Sequence, residues 1–96
     1  MFARVTHVQS KPEKLDEIVA LFQDSVMPLL KQQQGFKSSL LLTDPATGKG
    51  MSITIWESEA DLQAGDSNAV LLEQVLKVMP MLAAPPVPEI FVAALA

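Results

Sequence analysis

Hydrophobic and polar positions follow two different periods along the chain. Four segments have the alternating or β-branched pattern of strands, at residues 2–9, 36–43, 51–57 and 88–95. Between residues 15 and 30, apolar side chains recur at i, i+3, i+4 and i+7, which predicts an amphipathic helix. A second helical region is predicted between residues 58 and 82. The order β-α-β-β-α-β is that of the ferredoxin-like α+β fold, an antiparallel sheet with both helical regions on one face.

The first helix has signals for its start, a break and its end. Ser10 and Glu13 have the spacing of a capping box, in which the serine hydroxyl accepts a hydrogen bond from a helical N–H. Pro28 has no backbone N–H, so a kink or short break is expected near residues 24–28. The helix is predicted to end at Gln34, and Gly35 to supply the left-handed residue that follows it.

The second helical region is predicted to divide in two. Ser58 and Asp61 have the pattern of a helix start, and Gly65 indicates that this first helix ends near residue 64. Asp66 and Ser67 are expected to cap the helix that follows, because short polar side chains accept hydrogen bonds from free helical N–H groups.

Two of the predicted strands are apolar on both faces. Residues 40–42 are three consecutive leucines, and residues 90–95 are all apolar. If helices cover one face of the sheet, these strands expose a large apolar patch on the other face, which monomeric proteins rarely tolerate. We therefore expect a homodimer in which the helix-free faces of two sheets pack together.

The third strand alternates between an apolar row and a more polar row. The apolar row, expected to pack under the helices, consists of Met51, Ile53 and Ile55. The other row, expected to line the space between the two sheets, consists of Ser52, Thr54 and Trp56. Leucines, a tryptophan and hydroxyls suit a flat apolar ligand, so the second row is the candidate ligand-binding set. A purely structural role, with the tryptophan as a core or interface anchor, is the alternative.

Composition and net charge limit the kinds of molecule that the protein is expected to bind. The 96 residues are enough for one domain, taken as residues 1–96, and 49% of them are hydrophobic. Seven basic and eleven acidic residues give a net charge of −4, which argues against nucleic acid or an anionic membrane surface as partner. The chain has no cysteine, no apolar run long enough for a membrane span and no signal-peptide pattern, so a cytoplasmic location is expected.

Three short motifs resemble those of one family. Lys11-Pro12-Glu13 follows the first strand, Gln34-Gly35-Phe36 leads into the second, and Trp56-Glu57-Ser58 closes the hairpin. With the element order and the stretch 79–86, they make nearly the whole chain, residues 2–95, similar to the antibiotic biosynthesis monooxygenase (ABM) family. The resemblance implies a dimeric α+β barrel, formed when two sheets close face to face. It also implies a small aromatic ligand, because family members include quinone-forming monooxygenases that need no metal or flavin.

The resemblance extends to only part of the family's functional set. Trp56 matches the tryptophan of the quinone-forming members, but their asparagine four residues earlier is Ser52 here. Their tyrosine six residues later is Leu62, and the chain contains no tyrosine. Haem-degrading members use a histidine in the second helical region, and residues 58–84 contain none, so haem degradation is not expected.

His7 is the only histidine, and it is in phase with Ala3 and Val5 on the first strand. The ordinary pKa of histidine suits proton transfer near neutral pH, which makes His7 the candidate catalytic base. A strand-end residue hydrogen-bonded to backbone or water is the alternative. Alternation along the strand does not determine which of its two faces lines the cavity. If it is the other face, Arg4 and Thr6 line the cavity instead of His7.

The resemblance therefore implies a monooxygenase-like protein that oxidises a phenolic or quinol aromatic substrate without a cofactor or metal ion. In this interpretation His7 is catalytic, and Trp56, Ser52 and Thr54 bind the ligand. The alternative is a non-catalytic small-molecule-binding protein of the same fold, because two of the family's polar-aromatic positions are replaced.

Overall fold

A four-stranded antiparallel sheet forms one layer of the molecule in the computed structural model, which describes residues 1–95. The strands are β1 (Phe2–Gln9), β2 (Phe36–Thr43), β3 (Lys49–Trp56) and β4 (Val87–Val92), in the spatial order β2-β3-β1-β4. Their bounds agree with the predicted segments to within three residues. The predicted ferredoxin-like α+β topology is confirmed.

The helices form the second layer, on one face of the sheet. They are α1 (Leu15–Leu21), α2 (Met27–Leu30), α3 (Glu59–Asp66) and α4 (Ala69–Leu76). A 3-10 turn at Pro12–Lys14 precedes α1, a π-helical segment at Phe22–Val26 joins α1 to α2, and another 3-10 turn at Met79–Met81 follows α4. No helix within residues 1–95 combines the length and apolar character needed to span a bilayer.

The break in the first helical region overlaps the predicted one, near residues 24–28, and begins two residues earlier. The π-helical segment occupies Phe22–Val26, immediately before the turn that contains Pro28. Proline cannot donate to the carbonyl one turn earlier, so the hydrogen-bond ladder changes register before it. The helix ends at Leu30, earlier than the predicted Gln34. Gly35 nevertheless has the expected left-handed conformation, with φ of +77°.

Ser10 does not cap the first helix, which corrects the sequence prediction. Its hydroxyl donates to the Gly48 carbonyl at 2.6 Å, and the residue is buried. The backbone N–H of Ser10 reaches the same carbonyl at 2.9 Å. A buried hydroxyl needs a partner, and the loop before β3 supplies one, so Ser10 joins β1 to that loop instead.

Of the two helix starts predicted in the second helical region, the first is confirmed and the second is wrong. The Ser58 hydroxyl accepts from the Asp61 N–H at 3.1 Å, as expected of an N-cap. However, α3 runs through Gly65 to Asp66, and the cap of α4 is Asn68, whose side chain accepts from the Leu71 N–H. The prediction that Asp66 and Ser67 cap the second helix is therefore wrong.

The two faces of the sheet are the reverse of the prediction for β3. Ser52, Thr54 and Trp56 face the helices, so the alternation of a strand turns Met51, Ile53 and Ile55 to the helix-free side. We call this helix-free side the open face. By strand register it consists of Ala3, Val5, His7, Gln9, Ser38, Leu40, Leu42, Lys49, Met51, Ile53, Ile55, Val87, Glu89 and Phe91. The orientation of β3 follows from Trp56. Its large ring packs in the core between the sheet and the helices, so the residues in phase with it face the helices as well.

The core lies between the helices and the Trp56 end of β3. Its buried members are Val26, Leu30, Trp56, Leu62 and Leu71. The Phe36 ring meets the Trp56 ring edge-on, with ring centroids 5.6 Å apart and planes at 76°. This edge-to-face arrangement is favourable for aromatic pairs and fixes the tryptophan at one end of the sheet.

Candidate functional site

A cavity of about 480 Å³ lies between the sheet and the helices, beside the packed core. Most of its lining is apolar and comes from the helices, with Phe22 and Val26 on one side and Leu71 and Val75 on the other. Its polar lining consists of Arg4, Thr6, Ser52, Thr54 and Asp66. A mainly apolar cavity of this size with a few polar groups is typical of small-molecule sites.

Trp56 lies beside Ser52 and Thr54 on the cavity wall and is shielded from water, as the sequence predicts. Only 3% of the residue is exposed, and its indole N–H donates to the Thr54 hydroxyl oxygen at 2.9 Å. The location of the site is not the predicted one. The cavity lies between the sheet and the helices of one chain, whereas the prediction placed it between the sheets of two chains.

Gly65 leaves the space that the Trp56 ring fills. A Cβ atom on Gly65 would lie 2.5 Å from the Cη2 atom of the indole, and the glycine itself is buried. This close approach explains why a glycine stands inside α3, where it lowers helix propensity. The predicted role of this glycine as a helix end is therefore wrong, because α3 continues to Asp66.

Substitution Gly65→Ala is expected to lower the free energy of unfolding by about 2 kcal/mol. Overpacking costs up to about 3 kcal/mol, and alanine recovers about 1 kcal/mol through its better helix propensity. Chemical denaturation followed by circular dichroism measures the change. Gln63→Ala, on the exposed side of the same helix, is the control, with an expected change below about 0.5 kcal/mol. A stabilised Gly65→Ala variant would contradict the packing described here.

His7 lies on the open face, on the other side of the sheet from the cavity. It is in phase with Ala3 and Val5, whereas the cavity is lined by Arg4 and Thr6 of the same strand. Its Nε2 atom is 3.7 Å from Oε1 of Glu89, and both side chains are about half exposed. The structure therefore does not bring His7 together with Ser52, Thr54 and Trp56, and its catalytic role stays a prediction.

Arg4 and Asp66 form an ion pair on the cavity wall. Nη2 of Arg4 donates to Oδ2 of Asp66 across the gap between β1 and α3. Burial raises the pKa of the Asp66 carboxyl, and the Arg4 charge lowers it by a smaller amount. Nε of Arg4 is buried and has no hydrogen-bond partner within residues 1–95.

This ion pair is not predicted by the sequence. The sequence pattern predicts a helix cap at Asp66, and places Arg4 in the cavity only as an alternative to His7. One signal was available: Arg4 pairs with Thr54 across β1 and β3, so the two must share a face once the strands are in register. Nothing in the sequence pattern indicates that Asp66, 62 positions along the chain, meets Arg4.

The acidic residues after β3 lie outside the cavity lining. Glu57 accepts from Lys37 Nζ at 2.7 Å on the surface, and the hydrogen bond and charge of that lysine hold the pKa of the Glu57 carboxyl below its ordinary value. Glu59 and Asp61 occupy the first turn of α3, where acidic side chains favour the helix dipole. Within residues 1–95, no three His, Cys, Asp or Glu side chains form a group that could hold a metal ion.

The cavity opens towards solvent beside α4. Leu72 and Met79 both line it and are about half exposed, and Val75 between them is also exposed. These side chains form an apolar rim where the cavity meets solvent. Asp66 is 43% exposed in its side chain, so it lies where the cavity meets water.

Comparison with known proteins relates this architecture to one family. The family model described as antibiotic biosynthesis monooxygenase matches residues 1–68, more than two thirds of the chain. Those residues contain β1 to α3, and with them all five polar residues of the cavity. No curated protein matches the chain in sequence.

Solved structures match over nearly the full length of the chain. A Nitrosomonas europaea protein that bears the same family name is 15% identical, with a TM-score of 0.85 and coverage of 99% of this chain and 100% of that one. A conserved protein from Methanosarcina mazei is 18% identical, with a TM-score of 0.83 and coverage of 94% and 89%. A mutant of SnoaB, a cofactor-independent oxygenase from Streptomyces nogalater, is 14% identical, with a TM-score of 0.80 and coverage of 99% and 94%. At these identities the likeness is one of fold.

Proposed function

Because the chain belongs to the antibiotic biosynthesis monooxygenase family, we propose that it oxidises a phenolic or quinol aromatic molecule with dioxygen and without a cofactor. The observation that supports this most is the cavity of about 480 Å³ beside the buried Trp56. Its apolar walls suit a flat ring system of two or three fused rings. Its polar residues all lie on the sheet side or at Asp66, so a ligand with polar groups at one edge fits the distribution.

The reaction needs only the substrate and dioxygen. A phenol loses its hydroxyl proton, and the phenolate gives one electron to O2. The two radicals combine at the ring carbon para to the oxygen, and the resulting hydroperoxide loses water to leave a quinone. For 1-naphthol the balance is C10H8O + O2 → C10H6O2 + H2O, so one oxygen atom enters the product and the other becomes water. The protein contributes binding, exclusion of water and stabilisation of the phenolate charge.

The fold likeness to SnoaB, a cofactor-independent oxygenase, agrees with this chemistry. A second candidate function is binding of the same class of molecule without turnover. It is favoured by the absence of tyrosine from the chain and by Ser52 at the position where the resemblance places an asparagine. The two candidates share the ligand and differ only in whether oxygen is consumed.

Oxygen consumption distinguishes the two candidates. Protein freed of metal by chelation is incubated with 1-naphthol or a dihydroxynaphthalene in an oxygen electrode, with 18O2 as the labelled oxidant. Monooxygenase activity is expected to consume one O2 per quinone and to place one labelled atom in each quinone. Heat-unfolded protein serves as the control for spontaneous oxidation. Saturable binding with no uptake above that control would support the binding protein instead.

We also propose that two copies of the chain pair through their open faces, which would give the dimeric α+β barrel implied by the family resemblance. The open face has eight large apolar members from all four strands, and several of them are strongly exposed, among them Leu40, Leu42, Val87 and Phe91. Monomeric proteins rarely leave an apolar surface of this extent in water. The formal charges on this face are those of Lys49 and Glu89, which are of opposite sign, so a second copy of the same mainly apolar face is the partner that fits it best.

A further inference from the structure

We propose that Arg4 and Asp66 form the polar end of the cavity and bind the acidic hydroxyl of the aromatic ligand, with Arg4 donating to its oxygen and Asp66 accepting its proton. The proposal rests on the function proposed above and names the groups that would perform its first step. It also specifies the ligand: a planar apolar body with at least one ionisable hydroxyl at one edge.

The pair is the charged part of an otherwise neutral lining. Of the charged residues within residues 1–95, Arg4 and Asp66 are those that line the cavity. Arg4 stands opposite Thr54 in the β1–β3 ladder, and Thr54 accepts from the Trp56 indole. Since a hydroxyl that accepts one hydrogen bond still has its own O–H to donate, Thr54 can add a second donor beside Arg4. The ring-binding and the oxygen-binding groups are therefore neighbours.

Arg4 has more N–H donors than its bond to Asp66 uses. Nη2 donates to Asp66, and Nε is sealed from solvent, so it does not face the cavity. The Arg4 side chain is nevertheless 22% exposed and lines the cavity, and a guanidinium carries five N–H donors, so its outer N–H groups are those that a ligand oxygen can reach. A hydroxyl or phenolate oxygen satisfies an N–H donor, whereas a hydrocarbon cannot.

Asp66 is suited to accept the proton. Arg4 is the charged group that faces it from β1, while β3 presents Ser52 and Thr54 to the cavity and α4 presents apolar side chains. Partial burial raises the pKa of the Asp66 carboxyl, which makes the carboxylate a stronger base than an exposed one. Proton transfer from the ligand converts Asp66 to the acid and the phenol to phenolate. The net charge of the site does not change, so no isolated charge is created in the apolar cavity.

Binding tests the first half of the proposal. Isothermal titration calorimetry compares 1-naphthol with its methyl ether, 1-methoxynaphthalene, and with naphthalene. The expected result is binding of 1-naphthol about tenfold tighter than either analogue, because only the hydroxyl can both accept from Arg4 and donate to Asp66. Equal affinities for all three compounds would overturn the proposal while leaving an aromatic-binding cavity. Failure of all three to bind would instead contradict the proposed function.

A double variant removes the charges of the pair without leaving either partner charged and alone. Arg4→Gln/Asp66→Asn places a neutral amide at each position, so no unpaired charge is left at the cavity wall. Circular dichroism checks that the fold persists. The preference for 1-naphthol over the methyl ether is expected to fall to about threefold or less. Lys37→Gln/Glu57→Gln, which neutralises an ion pair on the surface, is the matched control and should retain the preference. An unchanged preference in the Arg4/Asp66 variant would overturn the proposal.

The pH profile of oxygen consumption tests the second half. Asp66→Asn is expected to slow the reaction with 1-naphthol by about 10²-fold near neutral pH, the usual size of a general-base contribution. The loss should shrink as the pH rises towards the ionisation range of naphthol, because solvent then removes the proton. A structural role would lower the rate by the same factor at every pH, and that result would overturn the assignment of Asp66 as the base.

Discussion

Trp56→Ala is expected to lower the free energy of unfolding by about 3–5 kcal/mol, the usual range for removal of a buried large aromatic. The tryptophan is 3% exposed, contacts the buried cluster of Val26, Leu30, Leu62 and Leu71, and lies edge-on to the Phe36 ring. The free energy of unfolding of a small domain is about 5–15 kcal/mol in total, so the substitution removes a large share of it. The cavity would also lose the ring against which a flat ligand can stack.

Urea unfolding followed by far-ultraviolet circular dichroism measures the effect, since the variant has no other tryptophan for fluorescence. Trp56→Phe retains most of the apolar area and is the matched control, with an expected loss of about half that of Trp56→Ala. It gives up the hydrogen bond to Thr54 but can still stack against a ligand, so it should raise KM more than it lowers kcat. A loss below about 1 kcal/mol for Trp56→Ala would show that the ring is not packed as described.

Leu40→Lys is expected to convert the proposed dimer into a monomer. Leu40 is on the open face and 59% exposed in the single chain, so a lysine there should be tolerated by the fold. In the dimer it would place two charges in an apolar interface, where an unpaired charge costs several kcal/mol. The dimer dissociation constant should therefore rise by about 10³-fold or more.

Sedimentation equilibrium at low micromolar concentration measures the change. The unaltered chain should give about twice its formula mass, and Leu40→Lys should give the mass of one chain. Leu76→Lys is the matched control, because Leu76 is 54% exposed but lies on α4, away from the open face. An unaltered chain that sediments as a monomer would contradict the open-face pairing. Dissociation by Leu76→Lys but not by Leu40→Lys would place the contact on the helices.

The strands and their order could be predicted from the sequence because their signals are local. Residues 2–9 and 36–43 have the bounds of β1 and β2, and Pro28 marks the break in the first helical region. Gly35 has its predicted left-handed conformation because only glycine adopts it without strain. These features depend on the φ/ψ preferences and spacing of neighbouring residues, which a sequence displays directly.

The facing of the strands could not be predicted, because alternation defines two rows without saying which one meets the helices. Met51, Ile53 and Ile55 were assigned to the core as the more apolar row, yet they lie on the open face. The row that faces the helices includes Ser52 and Thr54. The Thr54 hydroxyl accepts from the tryptophan N–H, and both hydroxyls line the cavity, so a partly polar row is accommodated between the layers.

The candidate site was predictable only in its local part. Trp56, Ser52 and Thr54 follow one another at period two and lie together on the cavity wall. Asp66 meets Arg4 through the path of α3 back over β1, a tertiary contact with no local signal. His7 was chosen for its chemistry, and the parity that places Arg4 in the cavity places His7 on the opposite face.

A crystal structure of the protein with 1-naphthol tests the central claim most directly, that the aromatic site lies between the sheet and the helices. The expected result is a ring stacked within the cavity against Trp56, with its oxygen about 3 Å from a terminal guanidinium nitrogen of Arg4 and close to Asp66. Naphthol bound between two open faces, or a cavity that stays empty at saturating concentrations, would contradict it.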